Sequence, residues 1–100
     1  MRTMLKVSMP VEPGNTAVKE GVLKKVVEDA MARLKPEASY FFAENGCRTA
    51  LMVFDLADAS DIPSIAEPFF QNLEAEIELG PVMSLEDMKN GVETAMKNGW

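Results

Sequence analysis

Residues 38–56 read ASYFFAENGCRTALMVFDL, two runs rich in aromatic and aliphatic residues joined at Asn45-Gly46. Asn-Gly suits a type I′ turn, because both central residues of that turn need positive φ and these two residue types tolerate it. With Asn45 and Gly46 as the loop, Glu44 faces Cys47, Ala43 faces Arg48, Phe42 faces Thr49, Phe41 faces Ala50, Tyr40 faces Leu51 and Ser39 faces Met52. Opposed residues share a face, and side chains alternate with a period of two. One face therefore carries Phe41, Ala50, Met52 and Phe54. The other carries Tyr40, Phe42, Thr49, Leu51, Val53 and Asp55. The apolar face is expected under helices, the mixed face against water, a partner subunit or a ligand. Register decides everything here, since a slip of one residue exchanges the two faces.

The flanking chain supplies the other elements. Residues 3–9 alternate as a strand, with Leu5 and Val7 on one face and Met4, Lys6 and Ser8 on the other. Residues 10–14, Pro-Val-Glu-Pro-Gly, are expected to break it. Asn15 or Thr16 then caps one amphipathic helix, whose apolar stripe runs from Val18 through Val22, Leu23, Val26, Val27, Ala30 and Met31 to Leu34. Pro36 ends that helix by pushing Lys35 out of helical geometry. Beyond the hairpin, Ser60 or Asp61 caps a second helix with Pro63 in its first turn and Ile62, Ile65, Ala66, Phe69 and Phe70 on its apolar face. Pro68 inside it predicts a kink or break near Glu67. Residues 75–79 form a fourth strand closed by Gly80-Pro81. Ser84 and Asp87 then open a tail helix over about 84–99 with a stripe of Leu85, Met88, Val92, Ala95 and Met96.

One hundred residues make a single domain, 1–100, able to bury roughly two-thirds of its unfolded surface. Sixteen acidic residues against ten basic give a net charge of -6, so neither nucleic acid nor an anionic membrane is an expected partner. No apolar stretch suits a signal peptide or a membrane span, and one cysteine, Cys47, forms no internal disulfide; a cytoplasmic location is expected. The chain has no histidine. An imidazole-bound haem or zinc and a His-activated nucleophile are thereby excluded, no cofactor or metal is expected, and an acid or base must be a carboxylate, Lys, Tyr or Cys.

The element order is strand, helix, strand, strand, helix, strand and a tail helix. That is the βαββαβ, ferredoxin-like α+β arrangement, an antiparallel sheet with two helices on one face plus a C-terminal helix. Right-handed crossovers place the first and third strands centrally and the fourth beside the first. Two helices cover one face only. The second face, with Met4, Lys6, Ser8, Tyr40, Phe42, Thr49, Leu51, Val53, Glu76 and Glu78, is half apolar and is expected to pack on its own copy, or in part under the tail helix.

With its Tyr40-Phe-Phe strand, tight hairpin and run Asp61-Ile-Pro-Ser-Ile-Ala-Glu-Pro-Phe-Phe70, the chain resembles, over nearly its whole length, small bacterial proteins of the dimeric α/β-barrel superfamily. The resemblance implies two ferredoxin-like subunits packed sheet to sheet as a homodimer, with a small-molecule pocket between sheet and helices or within the barrel. It spans cofactor-independent monooxygenases, muconolactone isomerases and haem-using enzymes; the chain departs from the last by lacking histidine. Its sole tryptophan, Trp100, stands at the terminus, so no role for a buried Trp is expected.

Lys6, Ser8, Tyr40, Thr49 and Glu78 converge on the second face and form the candidate ligand site. Tyr40 would donate a hydrogen bond or proton, Lys6 would hold an anionic group, and Glu78 would orient Lys6 or act as base. The plainer account is a cross-strand Lys6–Glu78 ion pair beside a tyrosine buried by dimer packing. Cys47, next to Arg48, is an activated thiolate or an incidental thiol at a hairpin tip. Glu67 to Phe70 bring a carboxylate and two rings to a bend, or simply end a helix. The eight methionines fit core filling better than an adaptable ligand surface. Three functions remain open: a homodimeric module binding a small apolar ligand, a cofactor-independent isomerase or monooxygenase acting on a small aromatic or lactone, and a structural or regulatory dimer.

Overall fold

The computed structural model describes residues 1–99; Trp100 lies outside the described residues. In chain order the elements are β1 (Arg2–Met9), α1 (Val11–Lys19), α2 (Val22–Leu34), β2 (Ala38–Glu44), β3 (Cys47–Asp55), α3 (Ile62–Leu73), β4 (Glu76–Pro81) and α4 (Leu85–Lys97). A short 3-10 turn, Ala59–Asp61, precedes α3. The fold is α+β, with four helices and one four-stranded antiparallel sheet in the order β2-β3-β1-β4. β1 and β3 are central and β4 lies beside β1, as expected.

The hairpin forms in the expected register. Asn45 has φ 52° and Gly46 φ 77°, and every pair from Glu44–Cys47 to Ser39–Met52 is present. Period-two alternation then buries Leu5, Val7 and Met9 of β1 and Ala50, Met52 and Phe54 of β3 on one face. Ala17, Val26, Ile65, Phe69 and Leu73 from α1, α2 and α3 close over them. Each of these larger side chains contributes about 1.5–3 kcal/mol by leaving water. Phe41 shares this face yet is 56% exposed, a correction to its place under helices. It stands on the edge strand β2, beyond the reach of α2.

The first helical region also differs from expectation. Residues 10–14 are the start of α1, not a loop: Pro10 stands at the N-cap and the Gly14 N–H donates the first helical bond to the Pro10 carbonyl at 2.9 Å. Pro13 is accommodated because amides of the first turn have no intrahelical partner to lose. Nor is there one continuous helix. Gly21 adopts φ 74° and separates α1 from α2, and its N–H closes on the Val18 carbonyl at 3.2 Å. A glycine just past a helix end is the usual signal for such a left-handed stop. Lys35 leaves helical geometry before Pro36 as expected, but into the left-handed region at φ 45°, not the extended one.

The cap before α3 is Asp58, whose carboxylate accepts from the Ser60 N–H at 2.9 Å, so neither Ser60 nor Asp61 caps by its side chain. α3 runs unbroken through Pro68 to Leu73. Proline lacks the N–H that would bond the Ser64 carbonyl one turn back; Arg33 of α2 supplies the missing donor at 3.0 Å. β4 begins one residue later and takes in Gly80 and Pro81. α4 starts where expected, with Ser84 and Asp87 forming a reciprocal capping box at 3.1 and 3.0 Å.

Two outcomes are expected. Gly21→Ala meets no atom within 4 Å, so its cost is the left-handed backbone alone, and urea unfolding should show a loss of about 1 kcal/mol. The Asp87 carboxyl lies below its ordinary 3.8, held chiefly by the Ser84 N–H and then by the Ser84 side chain. A depressed carboxyl contributes stability above its unfolded value and loses it as pH falls through the folded one. Helical circular dichroism from α4 should therefore survive at pH 3.8 and fade below it, and in Ser84→Ala the Asp87 carboxyl should titrate at higher pH by NMR.

Candidate functional site

The register lays out the uncovered face of the sheet in rows. Tyr40, Leu51, Lys6 and Glu78 form one row across β2, β3, β1 and β4; Phe42, Thr49, Ser8 and Glu76 form the next. The five candidate residues therefore share one face. Adjacent strands stand about 4.8 Å apart, so Tyr40 and Lys6, two strands apart, are separated by about 10 Å at the backbone. Tyr40 is 66% exposed, and Phe42 beside it is also exposed. Ser8 is half-buried and Glu78 exposed.

Lys6 turns away from Glu78. Its ammonium pairs with the Glu44 carboxylate at 2.6 Å to Oε2 and 2.8 Å to Oε1. Glu44 lies two strands away and one row beyond Phe42, so the line between the two passes over Thr49 on β3. That path accounts for Thr49 being only 3% exposed. The Thr49 hydroxyl donates to the Cys47 carbonyl at 3.1 Å, so its one proton is spent on its own strand. Lys6 is held above its ordinary pKa of 10.5, first by the hydrogen bond to Glu44, with burial opposing and the charges of Glu44 and then Glu78 adding. The expectation that Glu78 orients Lys6 is thus corrected: Glu44 does so. The hairpin register places Glu44 on this face, as the last residue before the turn.

The other candidates are placed as follows. Cys47 is half-buried beside the turn, opposite Glu44. Phe69 is buried in the core while Phe70 and Glu67 face outward, and Glu67 accepts from the Gln71 amide at 3.1 Å. Glu67 and the two rings do not converge. Among the described residues no group of His, Cys, Asp and Glu is arranged to hold a metal, and no helix is long and apolar enough to cross a membrane.

Two apolar grooves lie on the helix side, besides a more polar one of about 410 Å³ between α1 and α3. One, about 440 Å³, runs between α2 and α3 over Val26, Ala30, Ile65 and Phe69, with Arg33 and Asn72 at its margin. The other, about 630 Å³, opens between α1–α2 and the outer part of the sheet, where Val18, Leu23 and Val27 face Met9, Ala50 and Phe41, and Lys24 and Arg48 stand at the sides. It exists because the helices stop short of β2, which also leaves Phe41 exposed. Its signal in the sequence was an apolar residue on the covered face of an edge strand.

No protein-family model matches the chain, and no curated protein matches it in sequence.

The pairing of Lys6 sets an expectation. Glu44→Gln removes the carboxylate that raises the Lys6 pKa, so the Lys6 ammonium should titrate at lower pH than in the parent chain, read by NMR of the lysine side chain. An unchanged titration would show that Glu44 is not the residue that holds it.

Proposed function

We propose that the chain is a ferredoxin-like, homodimeric domain that binds a small, largely apolar molecule in the groove between its helices and the β2–β3 side of its sheet. The 630 Å³ groove carries this reading. Its volume lies in the range of small-molecule sites, its walls are aliphatic with two phenylalanines, Phe41 and Phe42, and Lys24, Arg48 and Thr49 are the polar residues beside it that could orient a polar end. The dimer rests on the opposite face, where Tyr40 and Phe42 are exposed and Met4, Leu51 and Val53 half-buried. Apolar patches of that kind on a soluble domain are commonly sites of association. Two copies packed open face on open face would bring Lys6, Ser8, Tyr40, Thr49 and Glu78 to the lumen between them, as the dimeric α/β-barrel resemblance implies. Catalysis gains no support from that cluster: Lys6 is engaged by Glu44, and Tyr40 stands two strands away.

Native mass spectrometry of protein from its own source should show a dimer that carries a small adduct released on unfolding. Val27→Trp, which fills the groove, should lose the adduct and keep the dimer. A monomer overturns the association, and a dimer whose adduct survives Val27→Trp overturns the placement of the ligand.

A further inference from the structure

α4 is the one element of the described chain without a packing surface. None of its residues is buried, and Leu85, Met88, Val92 and Met96 are 65, 41, 50 and 66% exposed. At about 100° per residue these four fall within an arc of about 80°. The capping box decides where the helix begins, not what it lies on. A helix of 13 residues is marginal in water without packing.

The size of the molecule points to what is missing. Its accessible surface is 6836 Å², about 1,200 Å² more than the roughly 5,600 Å² of a compact 11.0 kDa monomer. Its radius of gyration is 16.1 Å, against about 13 Å for a compact domain of this length. The excess surface is more than the about 800 Å² that each partner covers in a stable interface of standard size.

Charge points to where the helix lies. The charge nearest the apolar arc is Lys89, while Glu86, Asp87, Glu93 and Lys97 lie further round. Among the described residues Lys89 has no ion-pair partner within 4.0 Å, and neither do Glu76 and Glu78, exposed on the open face of β4. A second copy of this chain therefore offers α4 both an apolar surface and an unpaired acidic margin.

We infer that α4 is an arm exchanged between two copies: its apolar side lies on the second copy along the β4 margin of the open face, and Lys89 meets Glu76 or Glu78 there. The inference rests on the open-face dimer proposed above. It extends that dimer by making each tail helix part of the other copy's surface.

The test mixes two full-length chains in a Cys47→Ser background, one with Lys89→Cys and a longer, tagged one with Glu78→Cys. Oxidation should give a disulfide-linked species of mixed mass. Val92→Glu, a change at a side chain exposed in the single chain, should weaken the dimer at least tenfold in dilution by analytical ultracentrifugation, as should Lys89→Glu. Adding Glu76→Lys and Glu78→Lys to Lys89→Glu should restore it. If the parent chain is a monomer, the dimer and the arm fail together. If the parent is a dimer that Tyr40→Glu dissociates, while Val92→Glu leaves it intact and no mixed species forms, the sheet interface stands and the arm is refuted.

Discussion

Positive φ at Asn45 and Gly46 is the constraint on which the remainder depends. Those two residues close the loop without extra length, and a loop of two leaves the flanking strands a single pairing. Through that pairing Ala50, Met52 and Phe54 turn toward the helices while Thr49, Leu51 and Val53 turn away. β1 reads its own alternation from β3, and β4 reads its alternation from β1. One local backbone requirement is thereby passed across four strands and separates a sealed face from an open one.

What could be read in advance follows the same line. Hairpin register, strand alternation and the Ser84–Asp87 cap are local, set by residues within a few positions of one another, and all appear as the residue types imply. Gly21 was equally local, but a nearly unbroken helical stripe through Val18 and Val22 masked a stop that backbone conformation, not polarity, decides. Pro68 shows the opposite limit. Whether it breaks α3 depends on a donor from another helix, Arg33, which lies thirty-one positions from the Ser64 carbonyl it bonds and so outside any window of periodicity.

The candidate site divides in the same way. That Lys6, Ser8, Tyr40, Thr49 and Glu78 share a face was fixed by register. Which carboxylate Lys6 would choose was not, because a lysine stem long enough to cross a strand can reach Glu78 beside it or Glu44 on the diagonal. The groove beside Phe41 was less legible still. It arises from the lateral reach of α1 and α2 over the sheet, a matter of helix placement that no single residue encodes.

The central position of β1 has a consequence for the order of events when the chain folds. β2 and β3 meet across two residues and close in microseconds, whereas β1 must find β3 from some forty positions away and β4 arrives last, from beyond residue 75. Contacts of such long range are slow to form because the intervening chain must be gathered first. During synthesis the free edge of β1 therefore stays unpaired until residues 76–81 have been made. β2 and β3 are the pair of shortest separation, and β4 is the strand that covers the remaining edge of β1.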